Sequence, residues 1–62
     1  MIRYEVTLKY QHEREPYRFD VEADSKAEAI SKARDQARRD GHYGYGAGIG
    51  LGRSVFRALE AR

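Results

Sequence analysis

Sixty-two residues, with 12 Lys plus Arg against 10 Asp plus Glu, make one small domain of net charge +2. At 40% hydrophobic and 35% charged residues, the chain is too apolar for a disordered segment and too polar for a membrane protein. No apolar run approaches the ~20 residues of a membrane span, no leader-like apolar region opens the sequence, and the absence of Cys excludes disulfides and thiolate chemistry. The expected setting is the cytoplasm, with no membrane partner.

The first segment alternates. Ile2, Tyr4, Val6, Leu8 and Tyr10 are apolar, and Arg3, Glu5, Thr7 and Lys9 between them are polar. Period 2 with β-branched and aromatic residues predicts a half-buried strand over 2–10. Gln11 to Pro16 breaks the pattern, and Pro16 cannot donate to a central ladder, so a hairpin connection is expected there. Alternation resumes with Tyr17, Phe19, Val21 and Ala23 against Arg18, Asp20 and Glu22, which predicts a second strand over 17–23.

Residues 25–40 change to helical period. Ser25 with Glu28 three residues later forms a capping box. Ala29, Ile30, Ala33 and Ala37 share one face, and Glu28, Lys32, Asp35 and Arg39 the opposite one. Glu28–Lys32 and Asp35–Arg39 are spaced for i,i+4 ion pairs, and Gly41 supplies the stop. An Ala face lets the helix lie close on a sheet.

All six glycines fall between Gly41 and Gly52, which predicts a long mobile loop over much of 42–50, with a Gly-containing strand over 43–51 as the rival reading. Residues 53–60 return to order. A strand is favoured, although Val55 and Leu59 would also share a helix face with Ser54 as cap. The expected fold class is α+β: one β-β-α-β domain with a three-stranded antiparallel sheet in order 2-1-3 and one helix on one face. The expected core is Ile2, Tyr4, Val6, Leu8, Phe19, Val21, Ile30, Ala33, Ala37, Val55 and Leu59, with Ile49 or Leu51.

Chemistry-bearing patterns are few. His12 reads as a turn residue. His42 reads as a helix-terminal residue or as a contact to an anion. Two separated histidines do not supply the three or four ligands of a zinc site, and Glu13 and Glu15 in one turn lack the cleft a carboxylate pair needs. The even spacing of glycines from 44 to 52 misses the n, n+2, n+5 dinucleotide fingerprint. The nearest approach to a phosphate loop, Ala47 to Ser54, has Ala for the first Gly and Arg53 for the Lys. No catalytic residue, metal or cofactor is expected, and the chain is not expected to be an enzyme.

What remains is Tyr43 and Tyr45 between glycines, flanked by arginines. Tyr on such a segment suits a protein contact or stacking on unpaired bases, and it can also fold back to cap a small core. Basic charge gathers toward the C-terminus: residues 1–23 carry four basic and five acidic side chains, and residues 41–62 carry three and one. Arg34, Arg38, Arg39, Arg53, Arg57 and Arg62 are candidates for one patch that meets phosphate or an acidic protein surface. The candidate partner-binding residues are Tyr43, Tyr45, Arg38, Arg39, Arg53 and Arg57.

The run from Tyr17 to Ile30, with its Val21-Glu22-Ala23 strand end, Asp24 and Ser25 cap and Ala27-Glu28-Ala29-Ile30 helix start, resembles a stretch of small phage and mobile-element proteins. Some small anti-CRISPR proteins share this strand-to-helix join. The resemblance implies a compact, non-enzymatic inhibitor that docks on and occludes a larger host protein or nucleoprotein complex. It fixes no functional residue. A small nucleic-acid-binding protein is the alternative. The chain is expected to be a monomer, or a homodimer through a sheet edge.

Overall fold

The computed structural model describes residues 1–61. Its elements are β1 (Ile2–Tyr10), β2 (Tyr17–Ala23), α1 (Lys26–Arg39) and β3 (Ser54–Glu60), and the last segment is a strand, not a helix. The sheet runs β2-β1-β3. Both pairings are antiparallel, with Val6 opposite Phe19 on one side and opposite Ala58 on the other. The domain is α+β, as the alternation and the connection rules predict.

The sheet has one covered and one bare face. Tyr4, Val6, Leu8 and Tyr10 of β1, Phe19 and Ala23 of β2 and Ala58 of β3 are buried beneath α1. The helix meets them through Ala29, Ala33 and Ala37, each without exposed surface, and packs on all three strands. Methyl side chains set the close helix–sheet approach, and that approach decides what β3 can place inside. Ala58 takes the tight position, while the larger Phe56 sits half-buried at the side.

The expected core is corrected here. Val55 is 62% exposed and Leu59 55%, because they face outward with Arg57 between them. Burying that set would have taken an unpaired guanidinium inside, a cost larger than exposing two aliphatic side chains. Ile2 is exposed at the sheet end and Ile49 is 83% exposed, so Leu51 is the half-buried member of that pair. Tyr10, Ala23, Ala29 and Ala58 complete the core.

Both ends of α1 are capped. Ser25 Oγ accepts from the Glu28 amide at 3.2 Å, and Glu28 Oε1 accepts from the Asp24 amide at 3.0 Å, one residue before the cap. At the other end the His42 amide donates to Ala37 O at 2.8 Å and the Gly41 amide to Arg38 O at 3.2 Å, a Schellman arrangement. It needs a left-handed residue, and Gly41 has φ +81°. Glu28 pairs with Lys32 at 3.7 Å as its spacing predicts, whereas Asp35 pairs with Arg38 at 3.4 Å and not with Arg39.

Candidate functional site

The glycine-rich segment forms successive turns between α1 and β3, with Ala47 and Leu51 amides donating to Gly44 O and Gly48 O. Its far end is tied to the β1–β2 connection. The Gln11 amide donates to Arg53 O and the His12 amide to Leu51 O, each at 2.8 Å. His12 is therefore an exposed turn residue whose backbone fixes the glycine segment. His42 closes the helix and stacks its ring on Tyr17, with centroids 4.0 Å apart.

Tyr43 folds back. Its ring meets Phe56 edge-on at 5.1 Å, the Arg38 guanidinium lies 5.4 Å from the Tyr43 centroid, and the Arg34 guanidinium lies 5.4 Å from that of Phe56. The result is a row, Arg38–Tyr43–Phe56–Arg34, in which each cation faces a ring whose quadrupole attracts it. Arg34 Nε within this row is buried. Tyr45, two residues on, is fully exposed. The same segment thus uses one tyrosine as an anchor and presents the other to solvent.

The sequence-derived candidates divide into three places. Arg38, Tyr43 and Arg53 line one shallow depression together with Gly44, Ala47 and Ser54. Tyr45 and Arg39 are exposed and lie outside that lining. Arg57 points from the bare face of the sheet. Arg62 lies outside the described residues.

Sequence reasoning missed the residues that join Arg57 on the bare face. Thr7 lies opposite both Arg18 and Arg57, and Lys9 lies opposite Val55. Lys9, Arg53 and Arg57 line an open groove with Thr7, Val55 and Pro16. The parity of β1 and β2 already placed Lys9 and Arg18 on the polar side. The phase of β3 was needed to bring Arg57 to them.

Titration is perturbed at two tyrosines. Burial, with Tyr43, Tyr17 and Glu13 adding to it, pushes the Tyr10 phenol above its ordinary value. Desolvation and then Glu13 push that of Tyr17 in the same direction. Among the described residues no group of three or more His, Cys, Asp or Glu side chains is placed to hold a metal ion. No helix among them is long and apolar enough to cross a membrane.

Comparison with protein families, with curated proteins and with solved structures finds no match to this chain.

Proposed function

We propose that this domain is a non-catalytic binding module that docks on a larger host protein or nucleoprotein complex and occludes it, as the anti-CRISPR-like strand-to-helix join implies. The observation that carries the reading is the division of labour between Tyr43 and Tyr45. Tyr43 is fixed by Phe56 and Arg38, and Tyr45 is held two residues further on with its ring fully in solvent. An exposed Tyr beside a supported segment loses little conformational freedom on binding and offers a large contact area. Arg38 and Arg39 supply the charged part of the surface, and their planar guanidinium groups suit carboxylates of a partner.

The test is capture of a partner from nuclease-treated host lysate, followed by titration of the purified partner. Tyr45→Ala should weaken binding at least tenfold, the scale of an interface hot spot, while the melting temperature stays unchanged. Equal binding by the wild type and Tyr45→Ala would remove Tyr45 from the interface and with it the reading.

A further inference from the structure

The bare face of the sheet carries a charge pattern that docking through Tyr45 does not use. Arg18 and Arg57 flank Thr7 on its two neighbouring strands, and Lys9 sits one outward position further along β1. With a strand spacing of ~4.8 Å, the two arginine backbones are about 10 Å apart, and Lys9 is on the diagonal of both. Arg53 enters the same groove just before β3. All four cations are exposed. None of them belongs to the ion pairs found among the described residues, which join Arg3 to Glu22, Lys32 to Glu28 and Arg38 to Asp35.

The acids of this face are gathered at its other end. Glu5 lies directly opposite Asp20, and Arg3 opposite Glu22. A merely solvated face gains from interspersed signs, because like charges on neighbouring strands repel. Here, Arg3 apart, the signs are segregated along the strands. Lys9, Arg53 and Arg57 line the groove and Arg18 stands beside Thr7 on the neighbouring strand; with no carboxylate paired to them among the described residues, the four make a field that attracts negative charge.

The geometry selects the kind of anion. Cations spread over about 10 Å across three strands engage a row of charges better than one small ion. Three of the four are Arg, whose planar fork suits phosphate oxygens. The outward positions of the strands (Arg3, Glu5, Thr7, Lys9, Arg18, Asp20, Glu22, Val55, Arg57, Leu59) include no aromatic ring, and Tyr10, which borders the groove, is only 5% exposed, so bases have little to stack on. The end that holds Glu5, Asp20 and Glu22 repels a polyanion that runs along the strands, which favours a path across them over Lys9, Arg18 and Arg57, with Glu13 and Glu15 of the hairpin turn beyond the strand ends.

We propose that Lys9, Arg18, Arg53 and Arg57 form a sequence-independent site for the phosphodiester backbone of a nucleic acid. The site is on the sheet face, so the domain can touch protein and nucleic acid of one complex at different surfaces.

The test is fluorescence anisotropy of the full chain with short labelled DNA duplexes of unrelated sequence. Engagement of four phosphates predicts a log–log salt slope of about −3.6, a loss of about 150-fold between about 50 and 200 mM salt. Arg18→Gln with Arg57→Gln should weaken binding about tenfold or more and flatten the slope by about 2. Lys26→Gln, a charge change at the start of the helix, should leave both unchanged. If circular dichroism shows the double variant unfolded, Lys9→Gln with Arg53→Gln carries the same expectation. Absence of binding at low salt, or binding indifferent to both pairs, overturns the proposal. So does equal competition by poly-glutamate, which would assign the groove to an acidic protein. None of these results bears on docking through Tyr45, which is read by nuclease-resistant capture.

Discussion

The Tyr10 hydroxyl donates to the backbone oxygen of His42, 32 residues further along the chain. This bond joins the end of the central strand to the turn that closes the helix, where the glycine segment begins. The ring of the same tyrosine occupies the space that a Cβ on Gly48 would enter. Tyr10 therefore supports the segment at its start and at its middle, and Gln11 and His12 hold its end.

A difference between glycines follows. Gly48 and Gly50 both have positive φ, +70° and +81°, but a Cβ on Gly50 meets nothing within 4 Å. Gly50→Ala should cost about 1–2 kcal/mol, from left-handed backbone alone. Gly48→Ala adds overpacking against Tyr10, of order 1–3 kcal/mol, and should be clearly the worse of the two. Urea melts of the two variants measure the gap, and equal midpoints would mean that Tyr10 does not pack on Gly48.

Alkaline stability should report on Tyr10. Its folded-state pKa lies above the ordinary phenol value of 10.0. Between those two values the folded chain binds more protons than the unfolded one, so stability falls as pH rises. The contribution is complete below about pH 10 and is lost through the folded pKa. Tyr10→Phe should cost about 0.5–1.5 kcal/mol at neutral pH by loss of one hydrogen bond, and should show a shallower decline above pH 10. Denaturant midpoints for both proteins at neutral and alkaline pH give the comparison, and parallel declines would count against the burial of this phenol.

The closeness of helix and sheet can be tested from both sides. Ala33 and Ala58 are buried where the layers meet. Leu at either position should overpack the contact and cost about 1–3 kcal/mol. Val55→Thr, on the bare face, should stay within about 0.5 kcal/mol. A severe effect of Val55→Thr with a mild one of Ala58→Leu would return β3 to the opposite phase.

That phase marks where the sequence stopped being legible. In β1 and β2 the alternation sorts apolar from polar residues, and the pairing of Val6 with Phe19 follows from it. In β3 both sets contain apolar residues: Ser54, Phe56 and Ala58 on one side, Val55, Arg57 and Leu59 on the other. Hydrophobicity favours the second set. The Ala face of α1 and the Arg57 guanidinium favour the first, and they prevail because a buried unpaired charge costs more than exposed aliphatic surface. The candidate site inherited the same ambiguity. Arg53 and Arg57 were visible as cations, but Lys9 and Arg18 join them only through cross-strand register. Tyr43 and Tyr45 look alike in a run of glycines, and only the position of Phe56 tells them apart.

The two tyrosines should therefore separate in both stability and binding. Tyr43 is half-buried against Phe56 and beneath Arg38. Tyr43→Ala removes part of an aromatic's burial and its edge contact, and should cost about 1–3 kcal/mol of stability. Tyr45→Ala removes a ring that touches solvent alone, and its melting temperature should match the wild type. Against a purified partner the order should reverse. Tyr45→Ala loses the contacting ring and weakens binding at least tenfold. Tyr43→Leu keeps an apolar anchor on Phe56 and should keep most of the affinity. If instead Tyr43→Leu abolishes binding while the fold survives, Tyr43 itself meets the partner, and the row formed with Arg38 and Phe56 is the contact surface.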